Sequence, residues 1–182
     1  MMKNITTFCQ TLLVVTTGLC LLSQTSSSYT LALAQPLHPV TATTTYNQTD
    51  VWEATYYFTL ALPASTKQPL QKIAFTQIQG LESITFDGKN SRAFEGTPNR
   101  KGQKLGLTLT KSNEQPQTVK VTLDRPILPG TTITIALKSL RNPSYDGVYL
   151  FQVKALASES QTQGQVVGTA RLQFYNESSS SN

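Results

Sequence analysis

Apolar side chains recur at every second position along most of the chain. The pattern is clearest where Trp52, Ala54, Tyr56, Phe58, Leu60 and Leu62 fall on one side while Glu53, Thr55 and Thr59 fall on the other, as in a strand with one buried face. Pro63 ends that run. The same period predicts strands over residues 72–79, 83–86, 105–110, 118–123, 132–138, 147–156 and 166–175. Their inward positions include Ile73 and Phe75, Ile84 and Phe86, Leu105, Leu107 and Leu109, and Val119, Val121 and Leu123. Further on they include Ile133, Ile135 and Leu137, Tyr149, Phe151, Val153 and Ala155, and Val166, Ala170, Leu172 and Phe174.

Turn-forming residues separate these runs at Asp87-Gly88, 113–116, 126–130, Asn142-Pro143, Asp146-Gly147 and 158–164. No stretch after the first 34 residues keeps a helical period. One strand cannot stand alone, because burying its apolar side chains returns about 1.5–3 kcal/mol each while ordering its backbone costs roughly 1–2 kcal/mol per residue. A second apolar face is required. The prediction is an all-β fold, an immunoglobulin-like antiparallel β-sandwich of about seven or eight strands, with residues 105–123 as a hairpin.

Composition agrees: of 182 residues only 14% are charged and 27 are threonine, which favours solvent-facing strand positions over exposed helices. Residues 1–34 are laid out as a secretory signal, with Lys3, an apolar stretch from Leu12 to Leu22, a Ser/Thr segment and the small-x-small site Ala32-Leu33-Ala34. The apolar stretch falls well short of the roughly 20 residues that span a bilayer, so cleavage before Gln35 is expected and an uncleaved anchor is the alternative. Residues 35–50 read as a flexible Pro/Thr-rich leader, 51–175 as the β-sandwich domain and 176–182 as a disordered tail. Both cysteines, Cys9 and Cys20, leave with the signal, and neither follows a small residue as a lipidation site would require. The core must then hold without disulfides, and no stable membrane span remains after processing.

Pro126-x-x-Pro129-Gly130-Thr131, Arg141-Asn142-Pro143, Gly147-Val148-Tyr149-Leu150-Phe151 and Arg171-Leu172-x-Phe174-Tyr175, together with Tyr56-Tyr57-Phe58 through Leu62-Pro63 and Arg92-Ala93-Phe94, resemble the cyanobacterial secreted family called domain of unknown function 2808. The resemblance spans nearly all of residues 51–175. One departure is Ala155-Leu156-Ala157-Ser158, where that family has a Pro-Gly turn. The resemblance implies an exported bacterial protein, located in the periplasm or outside the cell. It supplies no catalytic residues. The shared loop Arg141, Asn142, Pro143, Asp146 and Gly147 reads as fold-specifying: Pro143 restricts Asn142 to extended backbone, and Arg141 would close the loop on Asp146 or, alternatively, on Asp124.

Most chemistries find no residues. The single histidine, His38, lies in the leader, so a His-assisted serine lacks its base. Without Cys or Met after the signal, soft-metal sites lack ligands, and no cofactor or metal is expected. Asp87-Gly88-Lys89-Asn90 lacks the alternating acids of a calcium loop and reads as a turn. Glu82, Asp87 and Glu95 share one region and keep a glycosidase-type pair formally open, although scattered surface carboxylates are the simpler account. A formal charge of +5, falling to +4 when Lys3 is lost, is too small for nucleic-acid binding without a basic stripe.

What remains is binding. Residues 88–104 carry Lys89, Arg92, Arg100, Lys101 and Lys104 against Glu95 alone, and are expected to form a mobile basic loop able to dock an anionic envelope polymer. Tyr57 and Tyr175, on the outward faces of their strands, and Tyr145, in a loop, offer rings for stacking on sugars. The expectation is a non-catalytic binding or structural module with an unknown partner, whether an anionic polymer, a glycan or another exported protein.

Overall fold

The computed structural model describes residues 40–66, 68–156 and 164–176. The signal segment, His38, most of the 158–164 turn and the tail beyond Asn176 lie outside the described residues. Ten strands are present among the described residues: β1 (Thr41–Thr44), β2 (Thr55–Ala61), β3 (Leu70–Gln79), β4 (Phe86–Thr97), β5 (Arg100–Leu105), β6 (Leu107–Lys111), β7 (Thr118–Ile127), β8 (Thr132–Ser139), β9 (Gly147–Leu156) and β10 (Gln165–Phe174). They form two antiparallel five-stranded sheets, in the orders β1-β2-β8-β4-β5 and β10-β9-β3-β7-β6. The protein is an all-β sandwich, and β6 and β7 form the expected hairpin.

The period-two positions meet in one core. Tyr56, Phe58, Leu60, Ile133, Ile135 and Leu137 of the first sheet are fully buried against Ile73, Phe75, Val121, Tyr149, Phe151 and Phe174 of the second. Aromatic rings tie the layers together. Phe58 lies 4.8 Å from Phe75 and 5.4 Å from Phe151, and Tyr56 lies 5.6 Å from Phe174, between ring centroids. Such pairs contribute about 0.5–1.5 kcal/mol each beyond burial.

Five expectations are corrected. Residues 41–44 are not part of a flexible leader: they form β1, paired with β2 from Thr41↔Thr59 to Thr44↔Tyr56. Residues 88–104 are not a mobile loop but most of the antiparallel β4–β5 pair, and of the expected 83–86 strand only Phe86 belongs to a strand. Trp52 faces solvent, 71% exposed, because the chain turns at Glu53, whose φ of 60° breaks the alternation before Ala54 enters the core. Val166 points outward and Val167 inward, since a bulge between Val166 and Gly168 shifts the register by one. Gly168 fits there because a Cβ would come within 2.9 Å of the Val40 side chain.

The expected 105–110 strand divides at Gly106. Leu105 closes β5 in the first sheet and Leu107 opens β6 in the second. The crossing passes tightly beside Asp124, whose N–H donates to the Gly106 carbonyl at 2.9 Å while its carboxylate stands 2.9 Å from where a Gly106 Cβ would lie. This crossing brings β5 to the edge of the first sheet beside β4, where the cleft described below lies.

Candidate functional site

The outer face of the first sheet carries a cleft of about 520 Å³ near its β4–β5 edge. Strand register dictates its floor. Tyr57 of β2 pairs with Ala136 of β8, which pairs with Arg92 of β4, so the three share one face. Phe94, two residues along β4, shares that face and pairs with Lys104 of β5. A bulge between Phe94 and Gly96 then sets Lys101 with its ammonium 5.7 Å from the centre of the Phe94 ring, a cation–π contact.

Three cations therefore converge around Tyr57 and Phe94, and no carboxylate lines the cleft. Glu95, the single acid between Gly88 and Lys104, is turned away: it accepts from Arg125 of β7 at 3.0 Å. Phe94 is buried but stands outside the inter-sheet core, covered by its basic neighbours. The cleft thus offers an apolar floor with positive walls, suited to an anion that carries a flat or apolar body.

The eight residues picked from the sequence for binding separate into four places. Tyr57, Arg92, Lys101 and Lys104 line the cleft. Lys89 sits on the bulged part of β4, and Arg100 lies at the β4–β5 turn, where its N–H donates to Thr97 Oγ1 at 3.2 Å. Tyr145 and Tyr175 lie at the end of the sandwich, half exposed, so the tyrosines form no common platform. Phe94 was missed as a site residue. Its place in Arg92-Ala93-Phe94, out of phase with the core residue Ala93, was the available signal.

The Asp87-Gly88-Lys89-Asn90 segment closes on itself. Asp87 accepts from the Lys89 N–H at 2.8 Å and from the Asn90 amide at 2.6 Å, which hold its carboxyl below the usual carboxylate range. Glu82 accepts from Arg141 at 3.3 Å and from the Ser144 N–H at 2.7 Å. Glu82, Asp87 and Glu95 therefore each serve separate partners. Among the described residues, no group of three His, Cys, Asp or Glu is placed to hold a metal ion.

The loop around Arg141 is built differently from expectation. Arg141 pairs with Asp50 and Glu82, both at 3.3 Å, and with neither Asp146 nor Asp124, and its guanidinium lies 5.9 Å from the Trp52 ring centre. Asn142 is fully buried. Its amide nitrogen donates to the carbonyls of Tyr46 and Gln48 at 3.0 and 2.8 Å, its Oδ1 accepts from Tyr56 at 2.8 Å, and its N–H donates to Val51 at 2.7 Å. Pro143 is buried beside it, and Gly147, at φ 128°, supplies the conformation that starts β9. The loop pins residues 46–51 to the sandwich.

Burial holds the Tyr56 hydroxyl protonated far above the ordinary value of 10.0, and Tyr149 is raised for the same reason. Each contributes stability that is complete below pH 10 and is lost as pH climbs toward the folded-state value, because only the unfolded chain releases the proton there. The protein is expected to unfold progressively more easily above pH 10, by up to about 1.4 kcal/mol per pH unit for Tyr56. Tyr56→Phe should flatten that slope in denaturant titrations run at successive pH values, and an unchanged slope would contradict the assignment.

The model of the family described as "Protein of unknown function (DUF2808)" matches residues 30–174. No curated protein matches the chain. Among solved structures, BslA, a bacterial hydrophobin, is similar at 20% identity with a TM-score of 0.47, over 79% of this chain and 98% of that one. The collagen-binding domain of a Staphylococcus aureus adhesin is similar at 12% identity and a TM-score of 0.36, over 69% and 89% of the two chains. The KRT10-binding region domain of the pneumococcal serine-rich repeat protein PsrP stands at 11% and 0.37, over 67% and 81%. These likenesses concern the fold alone.

Proposed function

The chain belongs to the DUF2808 family, and from that starting point we propose that it is an exported, non-catalytic binding module that takes an anionic partner in the cleft of Tyr57, Arg92, Phe94, Lys101 and Lys104. Export is supported by the signal layout of residues 1–34. Binding is supported by one observation above the rest: register brings three cations and two aromatic rings to one cleft that no carboxylate lines. An acidic glycan or envelope polymer fits that chemistry, its charges meeting Arg92, Lys101 and Lys104 and its ring faces meeting Tyr57, beside the Phe94 ring that Lys101 covers. A non-catalytic role is supported by Glu82, Asp87 and Glu95, each occupied with its own partners.

Dextran sulfate is a suitable probe. The wild-type protein is expected to be retained on it at low salt and released as salt rises. Lys101→Glu with Lys104→Glu should weaken binding at least about tenfold, the equivalent of roughly 1.4 kcal/mol. Lys120→Glu with Lys154→Glu makes the same charge change on the outer face of the opposite sheet and should have a much smaller effect. Equal losses in the two variants would show that net charge, not the cleft, governs retention.

A further inference from the structure

Six of the nine exposed large hydrophobic side chains among the described residues, Tyr46, Trp52, Leu81, Leu140, Tyr145 and Tyr175, gather at one end of the sandwich. They stand on the segments 45–54, 80–85 and 140–146 and on the residue after β10. Hydrogen bonds and ion pairs join these segments into one surface: Asn142 binds Tyr46 and Gln48, Arg141 binds Asp50 and Glu82, Ser144 binds Glu82, and the Thr49 N–H donates to the Tyr175 carbonyl at 3.0 Å. Clustered exposure of this kind marks an interaction surface, whereas scattered apolar residues need no explanation.

Charge identifies what fits it. The three segments hold Asp50, Glu53, Glu82 and Asp146 against Arg141, and Lys138 at the end of β8 pairs with Glu53 at 3.7 Å, leaving a formal −2. The remaining described residues hold eleven Lys and Arg against four Asp and Glu, a formal +7. Two such ends facing each other would bring −2 against −2, so a symmetric end-to-end dimer is disfavoured, and an anionic polymer or lipid headgroup is repelled from this end for the same reason. The end needs a partner that is both basic and partly apolar. The cleft on the flank of the first sheet is such a surface, with Arg92, Lys101 and Lys104 around Tyr57 and Phe94.

We propose that the acidic, apolar loop end of one copy docks into the basic aromatic cleft of another, joining copies end to flank. The inference rests on reading the cleft as an anion-accepting site and names a second copy of this chain as its partner. End and flank are different surfaces, so the contact is heterologous and leaves an unused end and an unused cleft on every pair. Chains or layers grow from it, and an added polyanion, competing for the cleft, dissolves them.

Sedimentation velocity over a concentration series, in low and high salt, tests this with the processed protein. The wild type is expected to gain mass with concentration and to lose it with salt or dextran sulfate. Lys101→Glu/Lys104→Glu disables the cleft, and Glu53→Lys/Asp146→Lys disables the end, giving up the Glu53–Lys138 pair while leaving the Asp50–Arg141–Glu82 contacts intact. Each variant alone should be monomeric, with dissociation constants raised at least about tenfold. Mixed in equal amounts, they should assemble again, since each mixture contains matched surfaces of opposite sign. Circular dichroism establishes that both are folded. A wild type that stays monomeric, or a mixture that does, overturns the proposal. Retention on dextran sulfate in the same buffer separates the two ideas: a monomer that is retained sinks self-docking alone, and one that is not retained sinks the cleft as well.

Discussion

Asn142→Ala is expected to lower the unfolding free energy by about 3–5 kcal/mol, a loss normally associated with a large core cavity. One side-chain amide serves three partners there: it donates to two carbonyls of the 46–48 segment and accepts from Tyr56, while the backbone N–H of the same residue holds Val51. Truncation removes the side-chain bonds and leaves the buried Tyr56 hydroxyl and the Gln48 carbonyl without this partner, while the Tyr46 carbonyl keeps the Thr44 hydroxyl at 2.9 Å; each group left unpaired costs about 1–3 kcal/mol when it finds no water. Tyr56→Phe removes one member of the same network and should cost only about 1 kcal/mol. Urea denaturation of the two variants checks the ordering. Equal losses would mean that the network contributes through the Tyr56 bond alone.

The second large effect is expected at Gly96. Its φ of 88° lies in the left-handed region, and a Cβ there would stand 2.2 Å from the Arg100 carbonyl oxygen. Gly96→Ala must therefore open the β4–β5 turn, at a cost of about 2–4 kcal/mol. Gly96 also follows the bulge that sets Lys101 against Phe94, and its carbonyl accepts from Thr134 Oγ1 at 2.7 Å. Binding to dextran sulfate should fall about as far as in the Lys101→Glu/Lys104→Glu variant, roughly tenfold, although no charge has changed. Amide exchange should quicken in β4 and β5 and stay slow in β9. Wild-type binding by a folded Gly96→Ala protein would disconnect the cleft from the geometry of that turn.

The buried halves of β2, β7, β8 and β9 were legible because their period-two runs are backed by strong side chains: Tyr56, Phe58 and Leu60, or Ile133, Ile135 and Leu137, alternate with Tyr57 and Thr59 or with Thr134 and Ala136, and all reach the core. β1 and most of β4–β5 were not. Thr41–Thr44 is an edge strand of polar threonines and one alanine, and residues 88–91 interrupt the β4 ladder before it resumes at Arg92, with Ala93 facing inward. Their pairing is decided by neighbouring strands rather than by their own composition, a tertiary effect that local periodicity does not carry. The cleft was half legible for the same reason. Its cations were visible as a run along the chain, but that Tyr57 joins them and Arg100 does not follows from cross-strand register. The partners of Arg141 were hidden by distance, since Asp50 and Glu82 come from segments far away in sequence.

Trp52 is the protein's one indole, and it stands in water beside Arg141 rather than in the core. Its fluorescence therefore starts, in the native state, near the red-shifted emission that other proteins reach only on denaturation. A melt followed at that wavelength would record the release of the guanidinium contact and miss the collapse of the sandwich. The optical signal of the core belongs to Tyr56 and Tyr149, whose fixed rings give near-ultraviolet ellipticity that disappears when the two sheets part.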